Sequence, residues 1–592
     1  MSHYRSNLED IEFILFEVLG VGEHLDLFDF DVDTASSVLA EVERLATNEW
    51  AASFVDADRT PLELVDGTVV LPESVKASLA AFRDGGWDRF GLPVELGGTP
   101  VPPTLLWAAQ ELLLGANPTA MFYGGSALFA RVLFHEGTEE QKELARLMVE
   151  NGWGGSMVLT EPDAGSDVGA AVTKAIHVEG DTYHIEGVKR FITAAEHDAA
   201  DNIVHLVLAR PEGARPGTKG LSMFAVPKVL VNDDGSLGER NGVVATNIEK
   251  KMGIKGSTTC ELTFGADRPA VGFLVGGVHD GIRQMFRVIE NARMTIGMKS
   301  AATLSTGYLN ALAYARERHQ GTDLARAADK TAPRVPIIAH PDVRRMLITQ
   351  KAYAEGLRAL ALYAAWCQEM AVLEPENDEW ERRSDFLLPL VKGYSSEKAY
   401  ELLAMSLQVF GGSGYIQDYP IEQYIRDAKI DTVYEGTTGI QAMDLFFRKI
   451  ARDQGRTVSA LSQDIAALVK GTHDGDGISA ERETLGRMLA DVQSHVGTMV
   501  AEGMAAMAGE PERVYRVGLH ANALLESMAE LVIGWQLLRQ VEVLGDRVDD
   551  FALGKRAAVS FYLADVEPKI RARAARAAAE DGSLMDLPDG AW

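Results

Sequence analysis

Cysteine is nearly absent from this chain, which has only Cys260 and Cys367 among 592 residues. Two cysteines exclude a disulfide framework, a thiolate metal cluster and a CxxC redox motif. Such scarcity is typical of the reducing cytoplasm, where we expect this protein to work. The N-terminal segment is polar and carries Glu9 and Asp10, so it does not resemble a signal peptide.

Basic residues and long apolar runs are also scarce. The chain has 57 Lys and Arg residues against 86 Asp and Glu, a net charge of −29. This balance argues against nucleic acid as a main partner, because phosphate binding needs a basic face. A few local arginines could still bind an anionic ligand. No apolar run reaches the roughly 18 residues that span a bilayer, so we expect no integral membrane segment.

The pattern along the chain predicts helices, then strands, then helices again. At 592 residues the chain is too long for one core, so we expect several domains. Helical segments with polar breaks fill 1–155, and β-rich segments such as 203–208 fill 156–280. A helical period returns over 281–455 and again over 456–592, where a loop rich in Gly and Asp is predicted at 471–477.

A single carboxylate, Glu435, lies in a nearly neutral segment between Val433, Tyr434 and Gly436. Desolvation there would raise the pKa of its carboxyl, which suits a general base near neutral pH. Gly436 would let a bulky group approach the backbone. An ordinary surface turn is the alternative interpretation of the same residues.

Three further segments have unusual composition. Residues 157–167 turn through Pro162 and Gly165 and present hydroxyl groups that could bond a polar ring. Residues 187–193 place Phe191 where it could lie against a flat heterocycle. Residues 408–415 form a glycine-rich break without the GxGxxG spacing of dinucleotide-binding folds. Taken singly, each could equally be a capped turn, a strand with a buried Phe, or a helix C-cap.

Together these segments resemble the acyl-CoA dehydrogenase family. The family's T-E-P-x-A-G-S-D segment matches residues 160–167, and its aromatic-Ile-Thr segment matches 191–193. Its Q-x-x-G-G-x-G-[FY] segment matches 408–415, and R-D-A-K-I followed by Y-E-G-T matches 426–430 and 434–437. The likeness covers about residues 80–450, and the whole chain resembles long bacterial β-oxidation members of the mycobacterial and actinobacterial type.

The resemblance implies a mainly α fold with a central β-barrel domain. Its domains would be an N-terminal helical domain (1–155), a middle β domain (156–280), a helical catalytic domain with four helices (281–455) and an extra C-terminal helical domain (456–592). It also implies non-covalently bound FAD. The extra domain resembles the one that, in the very-long-chain branch, covers the tetramer surface, so we expect a homodimer.

The resemblance also assigns roles to single residues. Glu435 would take the α-proton of the acyl thioester, with Gly436 beside the thioester and the Glu435 N–H on its carbonyl. Arg293 would be a substrate-side arginine, and Ser166 would lie where flavin phosphate and CoA meet. The implied FAD contacts are Met157, Leu159, Thr160, Ser166, Phe191, Thr193, Gln408, Gly412 and Thr437, with Arg318 contributed across the dimer.

Some positions depart from the family's pattern. Met157 replaces a common Tyr, Gly439 a frequent flavin-contacting residue and Pro341 a frequent Gln. The sequence between Gly321 and His340 is longer than usual and carries Lys330 and Arg334, which could reach FAD phosphates instead. In a minority of the family the base lies on a long helix, at the position of Ala292 here, so Glu435 has no competitor.

The expected activity is α,β-dehydrogenation of fatty acyl-CoA to trans-2-enoyl-CoA, the first step of β-oxidation, with electrons passed to an electron-transferring flavoprotein. An acyl-CoA oxidase using O₂ is the first alternative. An inactive relative acting as an assembly factor or DNA-binding protein is the second, although the retained Glu435 and the acidic 456–592 segment argue against it. The acyl chain length does not follow from the sequence.

Overall fold

The computed structural model describes residues 2–471 and 477–592, so most of the loop predicted at 471–477 lies outside the described residues. The chain separates into two compact units. The first comprises 1–4, 37–102 and 112–292, and the second comprises 5–36, 103–111 and 293–592.

The strands are concentrated in the first unit, as the β-rich texture of 156–280 predicts. They are β1 (Leu64–Val65), β2 (Thr68–Val69), β3 (Gly154–Val158), β4 (Lys174–Glu179), β5 (Thr182–Ile192), β6 (Ile203–Pro211), β7 (Ser222–Pro227), β8 (Val229–Val231), β9 (Leu237–Arg240), β10 (Val243–Ile248), β11 (Cys260–Phe264), β12 (Ala270–Leu274), β13 (His319–Thr322) and β14 (Arg334–Pro336).

Five strands of the main sheet close into a ring, which makes this domain a β-barrel. β5 pairs with β12, β12 with β7, β7 with β6, and β4 pairs with both β6 and β5. β3 extends the sheet beside β6, and β11 and β10 extend it beside β5. Buried apolar side chains from these strands, such as Ile185, Val207 and Phe224, pack together. The predicted central β domain is therefore confirmed.

The α-helices are α1 (Leu8–Glu12), α2 (Val32–Leu45), α3 (Phe54–Arg59), α4 (Glu73–Asp84), α5 (Pro103–Ala116), α6 (Pro118–Gly124), α7 (Ala127–Glu136), α8 (Glu139–Glu150), α9 (Gly281–Glu317), α10 (Pro341–Leu373), α11 (Asp378–Pro389), α12 (Ser395–Phe410), α13 (Gly412–Tyr415), α14 (Ile421–Lys429), α15 (Thr438–Asp444), α16 (Arg456–Lys470), α17 (Ser479–Met507), α18 (Val514–Leu544) and α19 (Asp550–Ala579). Four π-helical segments occur in the described ranges: Phe13–Val18, Ala46–Trp50, Leu390–Tyr394 and Leu445–Arg452. The predominance of helix confirms the predicted mainly α fold.

The second unit is built around long buried helices. An apolar stripe of the C-terminal region lies on α18 and is buried; it consists of Leu524, Met528, Leu531, Trp535 and Leu538. Gly356 lets α10 approach α18 closely, because a Cβ there would lie 2.5 Å from a methyl group of Ile533. A helix that buries nearly all of its faces is a core element rather than a surface cover.

A buried charge network ties distant parts of the second unit together. The Arg358 guanidinium donates to Asp10 at 2.6 Å and to Glu111 at 2.8 Å. The Lys555 ammonium pairs with Asp10 and, at 3.2 Å, with Glu355. All five side chains are almost completely buried. Loss of one partner would leave a buried charge uncompensated, which is far costlier than loss of an exposed ion pair.

None of the described helices is both long and apolar enough to cross a membrane.

Candidate active site

The candidate site in the second unit is a tight turn that carries Glu435. The turn follows a short 3₁₀ segment, Ile430–Thr432, and precedes α15. Glu435 has φ +56° and Gly436 has φ +88°, so two consecutive residues occupy the left-handed region. That conformation is costly for a glutamate and is concentrated at functional sites. Thr437 caps α15 through its hydroxyl, which accepts a hydrogen bond from the Ile440 N–H at 3.4 Å.

The Glu435 carboxyl is the chemically unusual group of the turn. Burial raises its pKa to about 7, while the positive charges of Lys392 and then Arg293 act in the opposite direction. Within the part of the chain that the structure describes, no group donates a hydrogen bond or forms an ion pair to this carboxyl. A carboxylate that has lost water and gained no donor is a stronger base than an ordinary glutamate and can accept a proton near neutral pH.

Two side chains hold the backbone of the turn. The Lys392 ammonium donates to the Gly436 carbonyl at 2.6 Å. The Gln441 amide donates to the Glu435 carbonyl at 2.9 Å and to the Gly436 carbonyl at 3.3 Å. Both side chains are completely buried. The strained turn is therefore fixed from two elements, the π-helical segment Leu390–Tyr394 and α15.

A second carboxylate, Asp431, lies four residues before Glu435 and has a different environment. The buried Lys299 ammonium donates to it at 2.5 Å, and the Tyr434 hydroxyl donates to it at 2.7 Å. Burial raises the pKa of Asp431, although the contacts with Lys299 and Tyr434 act in the opposite direction. This neutralised cluster anchors the segment that leads into the Glu435 turn.

Arg293, predicted on the substrate side, is buried against Asp444, with 2.7 Å between Nη1 and Oδ2. It influences Glu435 through its charge, and a contact with substrate stays a prediction. Ala292 precedes it on α9, so that position offers no second carboxylate. Pro341 is the first residue of α10, where its fixed φ suits the helix start and its missing N–H costs nothing.

Six of the predicted cofactor contacts lie in the first unit. Met157 lies at the end of β3, followed by the partly exposed Leu159 and Thr160. The buried Lys189 donates to the Leu159 carbonyl at 2.8 Å and pairs with Glu161 at 2.9 Å. These contacts fix the turn after β3 beside β5.

Phe191 is the most unusual of the predicted cofactor contacts in the first unit. Its φ is +60° and its side chain is 54% exposed, although it is aromatic and lies within β5. The Arg190 N–H donates to the Thr160 carbonyl at 2.9 Å, which brings Phe191 next to the 159–160 turn. Thr193 follows, partly exposed, and Ser166 is exposed on the loop after the turn. An exposed ring held in a strained backbone fits contact with a flat heterocycle.

The predicted phosphate-binding residues of the second unit are exposed. The α12 helix ends at Phe410, and Gly411, with φ +59°, turns the chain into α13. Gln408 and Gly412 are exposed, and no atom lies within 4 Å of a Cβ built on Gly412. The Arg318 guanidinium is also exposed and forms no ion pair with any described residue. The open backbone at Gly412 and the unpaired Arg318 guanidinium are two separate features that each fit an anionic ligand.

Comparison with known proteins identifies the class. Residues 156–266 match the family model of the acyl-CoA dehydrogenase middle domain, and 279–448 match that of the acyl-CoA dehydrogenase C-terminal domain. Residues 461–588 match the model described as acetyl-CoA dehydrogenase C-terminal like. The chain belongs to the acyl-CoA dehydrogenase family, whose members are FAD-dependent oxidoreductases.

Similar proteins include two bacterial enzymes. The chain is 52% identical over 612 residues to the broad-specificity linear acyl-CoA dehydrogenase FadE5 of Mycobacterium tuberculosis, with all of both chains covered. It is 36% identical to 3-methylmercaptopropionyl-CoA dehydrogenase of Ruegeria pomeroyi, over 86% of this chain and 85% of that enzyme.

Solved structures share the fold at low identity. Caenorhabditis elegans ACDH-11 in complex with C11-CoA has a TM-score of 0.72 and 19% identity, covering 94% of this chain and 90% of that chain. The FAD complex of an acyl-CoA dehydrogenase from Bacillus anthracis has a TM-score of 0.68 and 20% identity, covering 98% and 90%.

Sequence reasoning missed the residues that hold the Glu435 turn, Lys392 and Gln441. Lys392 was detectable in principle, because it is the one charged residue in the segment 387–394, which is otherwise apolar except for a proline and a glycine. A lysine inside such a run must be buried with a partner. Its partner, 44 residues away, could not be identified without the fold.

Proposed function

We propose that this protein catalyses FAD-dependent dehydrogenation of linear fatty acyl-CoA thioesters, with Glu435 as the base. The observation that carries the assignment is the environment of the Glu435 carboxyl. The carboxyl is desolvated, accepts no hydrogen bond from any described group and has a pKa of about 7. The broad specificity named for the 52% identical relative supports a range of linear chain lengths for this chain. Transfer of electrons to an electron-transferring flavoprotein is part of the same proposal.

Glu435 removes the proton from the carbon next to the thioester carbonyl. Its backbone N–H, held by the strained turn, donates to the thioester oxygen as negative charge develops there. Glycine is needed at position 436, because a Cβ there would lie 2.8 Å from the Gln441 amide nitrogen, and the thioester is proposed to lie beside it. Bound FAD supplies the acceptor for the hydride that leaves the β-carbon.

The residues proposed to hold FAD are all exposed or partly exposed. They are Met157, Leu159, Thr160, Ser166, Phe191 and Thr193 in the first unit, with Gln408, Gly412 and Thr437 in the second. Arg318 is proposed to reach the FAD of the other subunit in a homodimer, and Arg293 and Ser166 to lie on the substrate side. The same proposal includes a cytoplasmic location and a division into four domains, 1–155, 156–280, 281–455 and 456–592.

The decisive experiment compares the wild-type enzyme with Glu435→Gln in anaerobic mixing with butyryl-, octanoyl- and palmitoyl-CoA. The variant is nearly isosteric, so it should retain FAD and bind thioester. Bleaching of the flavin and turnover with an artificial acceptor should fall by at least ~10²-fold, the effect of losing a general base. Glu401→Gln, at an exposed glutamate of α12, is the matched control and should behave as wild type.

Retention of more than about a tenth of wild-type turnover by Glu435→Gln would contradict the assignment. The same assay separates a dehydrogenase from an oxidase, because admission of air returns the flavin colour rapidly only in an oxidase. A wild-type flavin that no acyl-CoA bleaches would favour an inactive relative instead.

A further inference from the structure

The Glu435 turn is an energetically unfavourable backbone arrangement that needs external support. Glu435 adopts φ +56° immediately before Gly436 at φ +88°. For a residue with a Cβ, the left-handed region costs on the order of 1 kcal/mol or more. A small rotation would move both the carboxyl and the N–H of Glu435, so the turn has to be held by its surroundings.

The support comes from two side chains whose donors are directed at this turn. Gln441 gives its amide donors to the carbonyls of Glu435 and Gly436, and its Oε1 is buried with no hydrogen-bond partner among the described residues. Lys392 gives its ammonium to the Gly436 carbonyl at 2.6 Å. Within the described ranges, the Lys392 and Gln441 side chains form no other hydrogen bond.

Lys392 differs from the other buried cations of its unit. Lys299, Arg293, Arg358 and Lys555 each form an ion pair with a buried carboxylate. Arg383 and Arg482, which are also buried, pair with the partly exposed Asp464 and Glu542. Lys392 forms none with any carboxylate in the described ranges, and its hydrogen bond goes to a neutral carbonyl. A fully buried ammonium without an adjacent carboxylate is costly unless its field serves another group.

The charged groups around Lys392 identify the group that its positive charge serves. Asp431, Glu435 and Glu397 favour its charged form, and Arg293 opposes it. Asp431 is already paired with Lys299, and Glu397 accepts a hydrogen bond from Thr438 at 2.6 Å. Burial lowers the pKa of Lys392 to about 8. Glu435 is thus the facing carboxylate that lacks its own partner, and Lys392 is the cation that most lowers its pKa.

We infer that Lys392 and Gln441 are positioning residues for the base: both hold the left-handed turn, and the Lys392 charge keeps the Glu435 carboxyl ionised. The inference rests on the proposed role of Glu435. It divides the support into a geometric part, shared by both residues, and an electrostatic part, supplied by Lys392 alone.

The test is the pH dependence of kcat/KM in three FAD-loaded variants. Lys392→Met removes the charge and one hydrogen bond, so turnover should fall at least ~10-fold and the acidic limb should move up by about 1 pH unit. Lys392→Arg keeps the charge and should return the limb toward the wild-type position. Gln441→Leu removes hydrogen bonds but no charge, so turnover should fall while the limb stays in place.

Lys398→Met is the matched control, because Lys398 is partly buried on α12 and pairs with Glu401 instead. Its pH profile should match that of the wild-type enzyme. Flavin content and circular dichroism establish that each variant is folded, and Lys392→Gln replaces Lys392→Met if the latter loses FAD.

An acidic limb unmoved by loss of the Lys392 charge would overturn the electrostatic part of the inference. Wild-type turnover in Gln441→Leu would overturn the geometric part. Either result can occur while Glu435→Gln is inactive, so both are distinguishable from failure of the proposed function, which requires an active Glu435→Gln.

Discussion

Replacement of Glu435 should stabilise the protein above neutral pH. Burial raises the pKa of Glu435 from 4.5 to about 7, so the folded protein disfavours the charged form that the proposed catalysis requires. Between these values the folded state binds more protons than the unfolded state, and stability therefore falls as pH rises. Glu435→Gln does not titrate and escapes this loss.

The magnitude follows from the two pKa values. The stability gained by Glu435→Gln should be below about 1 kcal/mol at pH 5 and should reach at most about 3 kcal/mol at pH 8, above both values. Because the residue is partly exposed, the second figure is an upper limit. The measurement is the urea midpoint at pH 5 and pH 8, followed by circular dichroism with FAD in excess.

Asp431→Asn provides the contrast at the other carboxylate of the segment. Its pKa is also raised by burial, but removal of its charge leaves the buried Lys299 without a counter-charge. This variant should be destabilised by about 3–5 kcal/mol at either pH. An equal gain for Glu435→Gln at pH 5 and pH 8 would refute the reasoning, since it would mean that the carboxyl titrates normally.

Three further outcomes are expected. Gly436→Ala should lose at least ~10-fold in turnover in the same acyl-CoA assay, because φ is +88° and the new Cβ would lie 2.8 Å from the Gln441 amide nitrogen. Lys555→Met should lower the urea midpoint by the equivalent of about 3–5 kcal/mol, since Asp10 loses a buried counter-charge, and Asp10→Asn in the same chain should recover part of the loss. Arg318→Ala should retain less FAD after gel filtration, and light scattering of the wild-type protein should give about twice 64.2 kDa. A monomer would contradict the shared-cofactor proposal.

Local patterns predicted much of the fold. The β4–β5 hairpin turns at Gly180-Asp181, a pair typical of tight turns, and Met285 and Ile289 on α9 follow the helical period. Closure of the barrel did not follow from sequence, because the pairing of β4 with both β5 and β6 is a matter of three-dimensional register. The small β1–β2 hairpin within the predicted helical region was also missed, since four residues give no period.

The candidate site was likewise only partly predictable from the sequence. Glu435 and Phe191 were identifiable from local segments, although nothing local predicted their left-handed backbones. The environment of Arg293 was not predictable, because Asp444 is 151 residues away. The roles of the individual FAD contacts stay predictions for this chain.

The network that joins Asp10 to Lys555 has a consequence for synthesis of the chain. Ribosomes add about 5–20 residues per second, so residue 10 precedes residue 555 by about 30–100 s. Throughout that interval Asp10 lacks Lys555, and the neighbouring Phe13, Ile14 and Leu15 lack the completed unit that buries them. This N-terminal segment can therefore complete its ion pairs only after residue 555 has been added. We expect its apolar residues to stay incompletely buried during much of synthesis, as in the segments that chaperones bind.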